Sequence, residues 1–324
     1  MRLEKMVKYY LNSASQMKAK VVSKTGKNPI FVLCDMGWCA LRYGTSPKNY
    51  YWFGFYDLPP KMRKTYVTHR LSERIQKKRN APNKGFIFYN KSIFNQTFHR
   101  FVKRASLETK DLTSPNDLLA LGEKIIYKPL ASSMGKGIQV FQITDETVEQ
   151  VYQTLVGLPS GLVETFLKQH KDMEKFSDSA VNILRIVTGR VGDQFSVLAA
   201  TAAFSKGLPY TNATGDAVFA NVDINSGTIM SDGCDYDENV FDRHPVSGAL
   251  FKGFVIPFWD EAIAMLKAAS GLVPEVGYVG WDVAITLDGP AIIEGNNDPG
   301  YEWMQLRMIN PSGIGKKKEY SFLL

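Results

Sequence analysis

Gly280-Trp281-Asp282-Val283-Ala284-Ile285-Thr286-Leu287-Asp288-Gly289-Pro290-Ala291-Ile292-Ile293-Glu294-Gly295-Asn296-Asn297 holds two apolar runs joined by an Asp-Gly-Pro turn. The pattern predicts two antiparallel strands. Polar side chains interrupt them at Asp282, Glu294 and Asn296, where a buried strand would carry apolar residues. Residues 294 and 296 are two apart and so share one sheet face. A loop of Asp288, Gly289 and Pro290 would pair Leu287 with Ala291 and set Asp282 opposite Asn296, bringing all three oxygen-bearing side chains to one face. A two-residue loop would shift the register by one and turn Asp282 to the other side. Hard oxygen donors so grouped suit Mg²⁺, which takes one or two carboxylates together with substrate phosphates. An ordinary hairpin with exposed acids would carry the same residues.

Before this hairpin the chain alternates. Residues 124–130 read as a strand, 131–137 as a loop of small residues and 138–143 as a strand. Thr144 then caps a helix running to about Gly157. Strands are expected at 161–167, 181–190, 194–204 and 217–224, and a helix at 259–270 ended by Gly271. Further back lie a helical pattern from Asn90 to Lys103, a short helix from Pro115, a basic helical stretch at 59–79 and a short strand at 30–34. The turn formers of Asn80–Gly85 mark a boundary. Leu3, Met6, Val7, Tyr10, Leu11, Ala14 and Met17 recur at helical spacing, with Arg2, Lys5, Lys8 and Lys18 on a basic side. That helix would lie on an anionic membrane surface or pack on its own domain. The aromatic stretch from Tyr43 to Tyr56 reads as core. No RNA-binding signature accompanies it, so nucleic acid is not an expected partner.

The 324 residues are 44% hydrophobic and 22% charged, an ordinary globular balance. No apolar run approaches the roughly 18 residues needed to span a bilayer, and no secretory signal is expected at the N-terminus. Cys34, Cys39 and Cys234 match neither a zinc spacing nor a disulfide framework, so a cytoplasmic setting is expected. The net charge of +7 is unevenly spread: residues 1–110 hold 23 Lys and Arg against 5 Asp and Glu, and the remainder 16 against 27. The first third would attract an anionic partner, or be neutralised by the acidic remainder on folding.

Four segments carry chemistry besides the hairpin. The strand Ile125–Leu130 carries Lys128 and runs into Ala131–Gly137, where Ser132, Ser133, Gly135 and Gly137 would let backbone N–H groups approach phosphate oxygens and Lys136 would add charge. This is not the helix-opening phosphate loop, and a plain hairpin would read alike. Glu164, late in the strand at 162–167, needs a partner if buried: an adenine amine or a structural Arg. Asn182 and Arg185 lie three apart in one strand and face opposite sides. Arg185 suits bidentate contact with phosphate or carboxylate, including a structural acid.

Taken in order, Lys91, Lys128, the small-residue loop, Glu164, Arg185, Asp282 and Glu294-x-Asn296 resemble the ATP-grasp superfamily over about residues 85–310. The chain is most similar to the sugar-transfer-associated branch, through Asn182-x-x-Arg185, His244-Pro245, Ile256-Pro257-Phe258-Trp259 and Trp281-Asp282-Val283-Ala284-Ile285. The resemblance implies an α+β fold in which two lobes hold ATP between antiparallel sheets. The small lobe would be 86–168 and the large lobe 169–324, behind a basic, small α/β N-terminal region at 1–85. Lys91 and Lys128 would meet the phosphates, Lys128 also the adenine side, and Ser132, Ser133, Gly135, Lys136 and Gly137 would close over them. Glu164, Thr165, Phe166 and Leu167 would meet the adenine edge, and Lys206 would be a further phosphate contact. Asp282, Glu294 and Asn296 would hold Mg²⁺ or Mn²⁺, with Arg185 and Lys128 as catalytic charges. Gln169, Lys171 and Glu174 compete for the ribose. Ala202–Ser205 lacks an Arg expected in this branch, which bears on the acceptor pocket.

The activity implied is ADP-forming carboxylate–amine, or carboxylate–thiol, ligation through an acylphosphate. Its substrate would be a sugar acid or amino acid in cell-surface polysaccharide synthesis. An acidic sugar nucleotide, or a lipid-linked sugar at the inner membrane face, would suit the basic third. Oligomeric state stays open. A small-molecule kinase and a non-catalytic nucleotide-binding regulator are the alternatives on this fold.

Overall fold

Two antiparallel sheets carry the molecule, and the hairpin forms one edge of the larger. A computed structural model describes residues 2–131, 135–211 and 217–324, with side chains from Lys8 onward. Ser132 and Ser133, and the side chains of Arg2, Leu3, Lys5, Met6 and Val7, lie outside the described residues. The small sheet comprises β1 (Ser106–Glu108), β2 (Lys124–Pro129), β3 (Gln139–Gln142) and β4 (Gly161–Thr165), in the order β1-β4-β2-β3. The large sheet comprises β5 (Ile183–Val191), β6 (Gln194–Ser205), β7 (Ala217–Val222), β8 (Gly233–Cys234), β9 (Val240–Phe241), β10 (Tyr278–Thr286) and β11 (Gly289–Asn296). Its order is β11-β10-β5-β6-β7-β8-β9. This is the expected α+β architecture, but the named elements of residues 2–85 are all helices, so the N-terminal region is helical and not α/β.

Alternation along the strands decides what faces the space between the sheets. In β2, Ile125 and Tyr127 turn to a core shared with Val163 and with Val148, Val151 and Leu155 of the helix Val148–Gly157. Lys128 therefore points the other way. In the large sheet Leu184, Ile186, Trp281 and Val283 enter a core with Phe94, Phe98 and the helix Trp259–Ser270. Arg185 and Asp282, between them in sequence, take the opposite face. A further core joins Val187, Leu198 and Tyr278 to Tyr50, Phe53, Phe55, Tyr66 and Ile75 of the N-terminal region. The aromatic stretch is thus core, as its composition suggests.

The hairpin reaches its register by an unexpected route. Its loop is Leu287-Asp288, with Thr286 paired to Gly289 rather than Leu287 to Ala291. Gly289 has φ 96°, a conformation that a side chain disfavours. This shorter loop alone would turn Asp282 away from Glu294. A bulge at Ile293 inserts one residue, so Asp282 pairs with Glu294 and Gly280 with Asn296. The shared face is recovered by the bulge and not by loop length.

Two other expectations change. Residues 30–34 are not a strand but part of a helix, α2 (Pro29–Tyr43), which follows α1 (Arg2–Thr25). Asn28 caps α2, its Oδ1 accepting from Ile30 N at 2.9 Å, and Pro29 sits at the first helical position. The helical pattern at 90–103 divides into Lys91–Thr97 and His99–Val102. The turn-rich segment after residue 79 is also stitched to the large sheet: Asn80 Nδ2 donates to the carbonyls of Tyr278 at 2.8 Å and Asn297 at 2.7 Å.

Gly295, between Glu294 and Asn296, lies under Phe94 of helix Lys91–Thr97 and under Phe88. A Cβ there would stand 2.9 Å from Phe94 and 3.0 Å from Phe88. Gly295→Ala is expected to destabilise the fold by roughly 1–3 kcal/mol through overpacking. Denaturant unfolding measures this; an unchanged midpoint would show that the helix has room to move.

Candidate active site

Between the sheets lies a cavity of about 430 Å³ whose lining includes Lys91, Arg104, Lys128, Gly135, Glu164, Arg185, Asp282, Glu294 and Asn296. Strand pairings and a helix cap place these groups by local rules. Asn90 caps its helix by accepting from Ile93 N at 3.0 Å, which puts Lys91 at the first helical position. The Lys91 ammonium donates to Pro129 O at 3.1 Å, at the end of β2. Burial lowers its pKa below the ordinary lysine value, and Lys128 adds to that, while Glu294 and Glu164 oppose it.

Glu164 is the buried centre of the small-lobe wall, 1% exposed. Its carboxylate meets Lys128 Nζ at 2.5 Å, Arg104 Nε at 2.9 Å and Asn95 Nδ2 at 2.7 Å. Burial alone would raise its pKa; Arg104 and Lys128 outweigh burial and hold it down at about 2. Arg104 reaches across the cleft as well. Its Nη1 and Nη2 donate to the carbonyls of Ile292 at 2.6 Å and Ile293 at 2.8 Å, at the hairpin bulge. Of the two partners the sequence offers for Glu164, the structure supplies the Arg.

On the large sheet, register aligns a row of polar residues over five strands: Glu294, Asp282, Arg185, Thr201 and Asn221. Arg185 holds Asp282 in a bidentate pair, Nε–Oδ1 2.5 Å and Nη2–Oδ2 3.0 Å. Burial and the Asp282 charge raise the Glu294 pKa, with Arg185 and Lys128 partly offsetting them. Glu294 nonetheless stays open to solvent from the cleft side. Asn296 follows on the same face, its Nδ2 buried without a hydrogen-bond partner among the described residues.

Two adjacent carboxylates that repel, next to an amide, form a hard-oxygen donor set that a divalent cation would relieve. Asp282 keeps lone pairs free of Arg185, so the set fits Mg²⁺. Among the described residues no group of three or more His, Cys, Asp or Glu is placed to hold a metal; this set counts two carboxylates and one amide.

A narrower pocket of about 100 Å³ opens beside Lys128 and Glu164. Ile126, Ile138, Ile183 and Ile293 wall it, and Thr165, Phe166 and Leu167 edge it. Apolar walls with a strand edge suit a flat heteroaromatic ring. Lys136 and Gly137 follow Gly135 as exposed residues. Lys206 is turned to Asp235, Nζ–Oδ2 3.1 Å, and does not line either cavity. Gln169 is consumed structurally, bonding Ser177 O, Ala180 O and Asn182. Three site residues carry no mark in the sequence pattern: Asn95, Arg104 and Thr201. A buried Glu164 in search of a cation was the signal for Arg104.

A flat apolar slot, converging lysines and an acidic face at the far end together make a cleft built for a phosphorylated planar ligand. The chain belongs to the sugar-transfer associated ATP-grasp family, whose family model matches residues 70–319. Comparison with curated proteins found no match. The fold is similar to that of the ATP-grasp ligase PsnB complexed with minimal precursor, at 14% identity and TM-score 0.41, over 72% of this chain and 62% of that one. It is similar to Bacillus anthracis D-alanine–D-alanine ligase complexed with ATP, at 13% identity and TM-score 0.42, over 73% and 65%. A third likeness is to the ADP complex of purK, N5-carboxyaminoimidazole ribonucleotide synthetase, at 12% identity and TM-score 0.41, over 66% and 46%. The chain therefore spans less than two thirds of the length of each of these neighbours.

Two outcomes follow from the charges. Glu164 sits below its ordinary 4.5, so its contribution to stability is present above that pH and is lost as pH falls toward its folded value. Glu164→Gln strands Arg104 and Lys128 and is expected to cost roughly 3–5 kcal/mol at neutral pH. The gap from the parent protein should narrow in acid, and urea titrations at several pH values measure it. Glu294 sits above its ordinary 4.5, and a proton competes with a cation there. Mg²⁺ binding by calorimetry should thus weaken on acidification at a higher pH than an ordinary carboxylate would dictate.

Proposed function

We propose that this protein is an ATP-dependent ligase that activates a carboxylate as an acylphosphate and passes it to an amine. The observation that carries this reading is the Glu294–Asp282–Arg185 row, which lies across the cavity from Lys91 and Lys128. ATP would lie with adenine in the apolar slot at Thr165–Leu167 and its phosphates between Lys91, Lys128 and the loop at Gly135. Asp282, Glu294 and Asn296 would hold Mg²⁺, which when bound neutralises phosphate charge. A substrate carboxylate oxygen then attacks the γ-phosphorus as the bond to the ADP oxygen breaks. The amine nitrogen adds to the acyl carbon, phosphate leaves, and the amine loses a proton. Arg185 would steady the transferred phosphoryl or the incoming carboxylate, and Lys128, ion-paired with Glu164, the leaving ADP.

The far end of the cavity supports a sugar-based acceptor. Ala203, Phe219 and Trp303 line it, and Phe219 stacks on Trp303 with centroids 4.4 Å apart. The C–H face of a pyranose suits such a wall, so we place a sugar acid, in the building of cell-surface polysaccharide, in the acceptor role. The division at residues 85 and 168 is part of the same proposal.

The test is ADP release with paired uronic acids and amines, with hydroxylamine present in parallel. A hydroxamate is expected; ADP release without one would make the protein a kinase, since a phosphate ester does not trap. Glu294→Gln should cut turnover about a hundredfold while leaving the melting temperature unchanged or raised, because it removes a carboxylate repulsion. Retained turnover would remove the metal assignment.

A further inference from the structure

The outer side of α2 is not polar. Val32, Met36 and Cys39 are buried, spaced as one helix face demands. A helix on a globular surface turns polar residues to water on its other side. Here that side shows Ile30, Phe31, Leu33, Trp38 and Leu41, respectively 72%, 60%, 50%, 59% and 76% exposed. The one acid of α2, Asp35, is bound to Arg63 and the Tyr50 hydroxyl. On α1, which packs against α2, Tyr9 and Leu11 are also exposed. The cleft chemistry uses none of these side chains.

Basic groups frame this face. Beside the end of α2 opens a cavity of about 460 Å³ lined by Arg42, Lys64, Arg70, Arg74 and Lys317. Arg70 ties it to α2 by donating to Ala40 O and Leu41 O, each at 3.1 Å. Among the described residues, Arg42, Lys64, Arg74 and Lys317 form no ion pair with an acid. Lys8 and Lys18 of α1 likewise have none among the described residues.

We infer that α2 docks the protein on an anionic lipid bilayer, its outer face in the headgroup–acyl boundary and the basic cavity against lipid phosphates. Aromatic and aliphatic side chains with flanking bases are the makeup of an interfacial helix, and Trp favours that boundary. Anionic lipid supplies the charge that the unpaired bases lack. A second copy is the poorer occupant, because a two-fold contact would set the same basic rim against itself. Among the described residues no helix is long and apolar enough to cross a membrane, so the contact is with the surface. The inference stands apart from the ligase reading.

Cys34 is exposed on this face, and Cys39 and Cys234 are buried, so an environment-sensitive fluorophore on the full chain attaches at Cys34. Vesicles of phosphatidylcholine with phosphatidylglycerol should blue-shift its emission and float the protein, and salt should weaken both. Phosphatidylcholine alone should bind at least about tenfold more weakly. Trp38→Ser with Leu41→Ser should abolish flotation without lowering the melting temperature. Arg42→Glu with Arg74→Glu should erase the preference for anionic lipid. No flotation, or equal binding to both vesicles, overturns the inference. So does a dimer that Trp38→Ser dissolves and vesicles leave intact, which would make α2 an interface between copies.

Discussion

Burying an ionised carboxylate costs several kcal/mol unless its partners come with it, and Glu164 makes that demand at the centre of this molecule. Its three partners, Lys128, Arg104 and Asn95, come from β2, from the segment before β1 and from the helix after Asn90. One of them serves both sheets. Arg104 carries the Glu164 ion pair on one side of its guanidinium and the carbonyls of Ile292 and Ile293 on the other. The carboxylate that orients Lys128 and the carbonyls at the hairpin bulge are thereby joined through one guanidinium. Lys128 is oriented by its ion pair with Glu164, which sets its ammonium at the cavity wall.

The bulge shows why that link matters. An inserted residue breaks the strand ladder and leaves carbonyls without ladder partners, and Arg104 supplies donors there. In return, Glu294 faces Asp282. Without a cation the pair is unfavourable, since two carboxylates share a site and the Glu294 pKa rises. A fold selected for stability alone would not place them so. Such local conflict is expected where a site must accept a charged ligand.

What was legible in the sequence was what local pattern encodes. Strand alternation places Lys128, Arg185 and Asp282 on their faces, and the order of charged residues marks the cleft. The bulge was not legible, because it depends on how two strands count against each other. Arg104 was not, because nothing in its own neighbourhood distinguishes a surface base from one that crosses the cleft. The segment at 30–34 misleads for a different reason. Ile30 and Val32 favour strand, and with apolar residues on all sides α2 shows no 3.6-residue period to correct that bias. The Asn28-Pro29 cap was the readable signal. A helix whose pattern is hidden in this way is one whose outer side is not patterned for water.

The Ala203, Phe219 and Trp303 end of the cavity ties the N-terminal region to the site. Where the family resemblance would put an Arg, β6 carries Ala202 and Ala203, and Ala203 joins Phe219 and Trp303 in an apolar cluster. An arginine side chain there would crowd that stack. Trp303 is in turn stacked on Trp52 from the N-terminal region, centroids 6.2 Å apart, and Trp52 meets Tyr236 edge-on. That cavity wall is therefore backed by residue 52, which lies before the segment the family model matches. The segment the family model matches carries the lysines and the polar row, whereas the apolar wall at this end of the cavity is backed partly by sequence outside it. This is the arrangement expected when one fold serves several substrates, because function follows the grafted site and not the scaffold.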